Sequence, residues 1–92
     1  MDAKNAVRLA KDHVLDLFSD EKPMNVGLEE LELDDDGFWK VTVGFSRPWD
    51  TASKNAFTVL VETAPLRRTY KLIQIDDQSG RVVSVKNRGT AS

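Results

Sequence analysis

Six acidic side chains fall within eight positions of the chain: Glu29, Glu30, Glu32, Asp34, Asp35 and Asp36. Carboxylate oxygens at this density are the ligands that hard divalent cations take. A calcium loop of the EF-hand kind would also need a glutamate at a fixed offset beyond its turn glycine, and none follows Gly37 there. The run therefore reads as a solvated turn and edge strand, with a docking patch for a basic partner as the alternative. His13 is the single histidine and has Asp12 beside it and Asp16 one turn on. A histidine base needs a nucleophile within reach, and this segment offers none. There is no cysteine, which excludes disulfides, thiolate nucleophiles and thiolate metal sites. No phosphate-cradling loop is visible either. No catalytic residue, metal site or cofactor is assigned.

The more informative chemistry is that of recognition. Trp49 lies in an aperiodic stretch, Ser46 to Asn55, with Arg47 before it and Asp50 after it. Tryptophan and arginine are the residue types that most often anchor protein interfaces. Arg67 and Arg68 stand at a second break in the pattern, and two loops joining neighbouring strands can share one end of a sheet. Arg47, Trp49, Asp50, Lys54, Arg67 and Arg68 are thus the candidate partner-binding residues. With Lys71, the bases among them would form a basic patch containing one aromatic. Such a patch could stack single-stranded nucleic acid, but the overall acidity and the single loop aromatic argue against that use. The competing reading of Trp49 is that it folds back to cover an open end of the sheet.

The elements that must position these residues follow from periodicity. Ala3, Val7, Ala10, Val14 and Leu17 recur at helical spacing, flanked by Ala6 and Phe18, which predicts a helix over residues 3–20. Asp2 is the expected N-cap, Arg8 and Asp12 can pair four residues apart, and Pro23 forces an end. From Val26 the period becomes two. Val26 and Leu28 alternate, then Leu31 and Leu33 alternate in the other phase, so a β-bulge is expected at Glu29–Glu30. Asp34 to Gly37 reads as a turn. Trp39, Val41, Val43 and Phe45 then form one face of a strand that should pair with the first as a hairpin. Phe57, Val59 and Val61 suggest a third strand. Tyr70 to Ile75 is apolar on both faces and reads as central. Asp76 to Gly80 is a turn, Val82 to Val85 a last strand, and residues 87–92 a frayed tail.

One helix followed by short-linked strands cannot make parallel crossovers. The expected class is α+β: an N-terminal helix packed on a four- to five-stranded antiparallel meander sheet, in one domain spanning residues 1–92. The size and composition agree. Ninety-two residues with 40% hydrophobic and 30% charged side chains suit one soluble two-layer domain. Charge is unevenly spread. Residues 1–45 carry eleven acids and five bases, whereas residues 46–92 carry four acids and eight bases. Two faces of opposite potential would favour oriented protein association. No apolar run reaches membrane-spanning length and the N-terminus reads as an amphipathic helix, so no membrane partner and a cytoplasmic location are expected.

The helix over Ala3–Phe18, the segment Phe38-Trp39-Lys40-Val41-Thr42-Val43 and the hairpin from Tyr70 to Val85 together resemble the PepSY-like, and more broadly cystatin-like, group of small domains. Trp39, Asp76, Gly80 and Val82 match the Trp-x-Val segment and the Asp-x-x-x-Gly-x-Val turn of that group. The resemblance implies a helix on an antiparallel sheet, commonly outside the cytoplasm, acting as a regulator or inhibitor of peptidases. Cystatin inhibition uses a Gln-x-Val-x-Gly hairpin, which this chain lacks. Taken together, the residues favour a small non-enzymatic domain that binds another protein, as a regulator, inhibitor or immunity-type protein acting on a partner such as an enzyme. A structural homo-oligomer, including a homodimer, is the alternative. A small enzyme with a shallow carboxylate site at Asp76 or Asp77 is a further one.

Overall fold

A computed structural model describes residues 1–48 and 68–88. The elements are helix α1 (Ala3–Leu17), a 3-10 turn (Ser19–Glu21), and strands β1 (Met24–Leu33), β2 (Phe38–Ser46), β3 (Thr69–Asp76) and β4 (Val82–Asn87). The strands form one antiparallel sheet in the order β1-β2-β3-β4, with α1 across one face. This is the expected α+β architecture, with four strands among the described residues and β3 central. The expected strand at Phe57, Val59 and Val61 lies outside them.

Asp2 caps α1, its Oδ1 accepting from the Asn5 N–H at 2.8 Å. Ala6, Ala10 and Val14, each four residues apart, are the fully buried helix positions. Two alanines on this line let the helix backbone sit close to the sheet. The line continues through Phe18, whose ring lies 5.6 Å from that of Phe45. The α-helix closes at Leu17, with Phe18 as its C-cap, rather than running to residue 20. Leu17, expected on the buried stripe, is left 52% exposed. The 3-10 turn follows, and Lys22 adopts a left-handed conformation (φ 50°) before Pro23. Arg8 donates to Asn5 Oδ1 at 3.0 Å, a nearer acceptor than the expected Asp12.

The core consists of Ala6, Ala10 and Val14 from the helix, Val41, Val43 and Phe45 from β2, and Ile73 and Ile75 from β3. Each large side chain buried here contributes about 1.5–3 kcal/mol. The helix thus buries its inward residues with those of β2 and β3, and it also packs on β1, where Val26 lies against the core. Both tight turns use glycine in the left-handed region, Gly37 at φ 86° and Gly80 at φ 73°. In the first, Asp34 Oδ1 accepts from the N–H groups of Asp36 (2.9 Å) and Phe38 (3.0 Å). In the second, Asp76 Oδ1 accepts from the Gln78 N–H at 3.0 Å. The turns are tied together by the Asp77 N–H donating to the Gly37 carbonyl at 3.0 Å and by Trp39 Nε1 donating to Asp77 Oδ1 at 2.7 Å. Among the described residues no helix is long and apolar enough to cross a membrane.

Candidate functional site

The site begins with a register shift. Leu28 pairs with Val43 and Glu30 with Thr42, so Glu29 is the extra residue of a β-bulge. Without it, strict alternation would send Leu28 and Leu31 to opposite faces. With it, Leu28, Leu31 and Leu33 stand opposite Val43, Val41 and Trp39, all on the helix side. The two out-of-phase halves of β1 become one apolar face.

Among the described residues that face is only partly covered. The helix packs on β2 and on β1, and less on β3, but its contact with β1 leaves the leucines of this edge strand partly open. Leu28, Leu31 and Leu33 are 42%, 36% and 48% exposed. Between them and the helix flank runs an open groove of about 660 Å³, floored by Val26, Leu28 and Leu31 and walled by Ala3, Val7 and Leu15. Lys4, Arg8 and Lys11 rim its helix side, with Asp12. Contiguous exposed apolar surface beside an edge strand is unusual unless something docks on it.

The opposite face of β1 is acidic. Glu30 stands opposite Thr42, and Glu32 opposite Lys40. Together with Leu72 and Arg88 they line a smaller cleft of about 240 Å³. Arg88 Nη2 reaches Glu30 Oε1 at 2.8 Å, and Lys40 Nζ lies 3.6 Å from Asp34 Oδ2. Thr42 on the floor of the cleft is only 3% exposed, and its Oγ1 has no hydrogen-bond partner. A buried hydroxyl in that state costs about 1–3 kcal/mol relative to a bonded one. Asp34 at the strand's end is held below the usual carboxylate range, first by the Phe38 N–H bond, then by the Asp36 N–H bond and the Lys40 ammonium, against an opposing desolvation.

Of the residues nominated from sequence, Trp49, Asp50, Lys54 and Arg67 lie outside the described residues. Arg47 fastens elements together: its Nε donates to Glu21 Oε1, its Nη1 donates to Thr69 Oγ1 at 2.8 Å, and its guanidinium lies 5.5 Å from the Phe45 ring centre. Arg68 donates from Nη2 to the Asn25 carbonyl at 3.1 Å and lies 3.4 Å from Glu29 Oε2. It sits beside Tyr70 over Gly44, where a Cβ on the glycine would come within 2.9 Å of the Tyr70 ring. Lys71 lies on the helix side, 5.0 Å from the Phe18 ring centre. The sheet therefore separates Arg68 from Arg47 and Lys71, and these three bases do not form one patch. Asp76 and Asp77, the carboxylates of the enzyme alternative, are engaged in the turn and with Trp39. Among the described residues no three histidine, aspartate or glutamate side chains are grouped to hold a metal ion.

The groove was missed from sequence, although the signal was present. The phase change at Glu29–Glu30 brings three leucines onto one face of an edge strand, more apolar surface than a helix with three small inward residues covers. No family model, curated protein or solved structure matches the chain.

Proposed function

We propose that this chain is a non-enzymatic binding domain that docks a different protein along β1, as a regulator, inhibitor or immunity-type protein acting on that partner. The observation that supports this reading is the open apolar groove beside an edge strand, with Leu28 and Leu31 exposed on its floor. A second copy of the chain is the poorer occupant. In the antiparallel register that stacks Leu31 on its counterpart, Glu30 faces Glu32 of the copy, and like charges directly opposite are destabilising. The acidic face of β1 favours a partner of opposite charge, which also speeds encounter. The resemblance to PepSY-like domains makes a peptidase the first enzyme to assay. In this reading Arg47 and Arg68 hold the strand ends in place for docking.

The test compares tagged full-length protein with a Leu28→Asp, Leu31→Asp variant, in pull-down followed by size-exclusion mass measurement. The expected result is one stoichiometric protein partner retained by the wild type and lost by the variant, whose melting temperature stays within a few degrees. Equal capture by both proteins, or a wild type that elutes alone or as a homodimer, sinks the proposal.

A further inference from the structure

The two faces of β1 ask for different chemistry from the same visitor. An extended segment lying along a free strand edge presents alternate side chains to the two faces of the sheet. Those on the helix side would enter the groove floored by Leu28 and Leu31, so they must be apolar. Those on the other side would meet Glu30 and Glu32 and, one strand further in, the unpartnered buried hydroxyl of Thr42. Strands are spaced about 4.8 Å apart, so only a long side chain reaches that hydroxyl from outside β1. Lysine and arginine have this length, carry donors and no acceptor, and complement the glutamates.

We infer that β1 accepts an extended segment of a partner protein with alternating apolar and basic residues, which adds to the sheet as a fifth strand. This rests on the protein-binding reading above and specifies the partner's chemistry. Two independent features support it. The apolar groove sets one half of the alternation, and the acidic cleft with its orphaned hydroxyl sets the other.

Arg88 then takes on a particular meaning. It comes from beyond the end of β4, on the far edge of the sheet, and places its guanidinium on Glu30 at the cleft. It occupies the position the visitor's basic side chain would take, and its contact is an exposed ion pair, the kind that contributes about 1 kcal/mol or less. Arg88 is a removable internal stand-in. A partner's arginine displaces it, while the orphaned Thr42 hydroxyl gains a donor that Arg88 does not give it.

The probe is a labelled synthetic peptide of about ten residues, the length of β1, alternating valine and arginine. It is titrated with full-length protein and followed by fluorescence anisotropy. Two controls are an isomer with all arginines blocked at one end and a version N-methylated on every amide, which has no N–H left to donate to a strand edge. The alternating peptide should bind about tenfold or more tightly than either control, a gap of the size set by losing a strand's hydrogen bonds or its register. A Glu30→Gln, Glu32→Gln variant should weaken it about tenfold, and Arg88→Gln should strengthen it severalfold by removing the competitor. Equal binding of the three peptides, no binding, or unchanged or weaker binding on Arg88→Gln overturns the inference. If the peptide fails while a protein partner is still captured through Leu28 and Leu31, the strand mode falls and the protein-binding reading stands. If capture fails too, both fall.

Discussion

β1 and β2 are the two arms of one hairpin, and they put their apolar residues to different uses. In β2 the last six residues, Val41 to Ser46, are all buried, with Val41, Val43 and Phe45 under the helix. In β1 the last six, Leu28 to Leu33, are all exposed, three leucines among them. β2 alternates strictly and β1 reaches one apolar face only through its bulge, but position in the sheet decides how much is buried. β2 has a strand on each side and the helix above it. β1 has one neighbour among the described strands, and the helix, though it packs on β1, leaves its leucines partly open. The fully buried side chains are concentrated in the centre of the sheet, while the leucines of the edge strand stay partly in solvent.

The largest expected effect breaks that division from the stable side. Phe45→Ala removes a fully buried ring that contacts Phe18 and underlies Arg47. It should cost about 3–5 kcal/mol, enough to unfold a domain of this size or bring it close to unfolding. Leu31→Ala, on the neighbouring strand, should cost about 1–2 kcal/mol, since about a third of that side chain is already in water. Urea denaturation of the two variants checks the contrast. Equal losses would mean that β1 is as much a part of the core as β2.

A smaller effect tests the other face of β2. Gly44 stands opposite both Gly27 and Tyr70, and a Cβ there would lie 2.9 Å from the Tyr70 ring and from Glu29 Oε2. The glutamate and Arg68 ends can swing away, whereas the ring must shift. Gly44→Ala should therefore destabilise by about 1–2 kcal/mol despite alanine's lower unfolded-state entropy. A Gly44→Ala, Tyr70→Ala double variant should recover part of the interaction in a thermodynamic cycle. Additive losses would show that the tyrosine does not constrain this site.

Much of this architecture could be read from the residues. Alternation at Trp39, Val41, Val43 and Phe45, turn chemistry at Asp34–Gly37 and Asp76–Gly80, and the phase change at Glu29 all reflect local rules that the sheet obeys. The helix ends three residues before the expected position because Ser19–Glu21 forms a 3-10 turn, which apolar periodicity does not distinguish from a last helical turn. The docking groove escaped for a different reason. Whether Leu28 and Leu31 are core or surface depends on how far a helix extends across a sheet, which is a property of two elements and not of either one. Arg47 and Arg68 read as free anchors because the sequence does not show that Glu21, Thr69 and Glu29 would meet them.

The smallest effect concerns the turn that joins the two arms. Asp34 accepts two backbone N–H bonds and lies near Lys40, and these interactions hold its carboxyl below the ordinary value of 3.8. A group whose pKa is lowered on folding stabilises the fold fully above its unfolded pKa, and this contribution fades as pH falls through the folded value. Asparagine keeps an oxygen acceptor in the same place and loses the charge. Asp34→Asn should therefore melt slightly below the wild type at neutral pH, with the gap closing as pH drops below 3.8. Because the Lys40 side chain of this pair is open to solvent, added salt should shrink the part of the gap that comes from Lys40 and leave the part from the backbone N–H bonds. Thermal melts across that pH range, at low and high salt, separate the two. A gap that persists in acid would place the effect in amide geometry, and the two arms would then be joined by the shape of the turn alone.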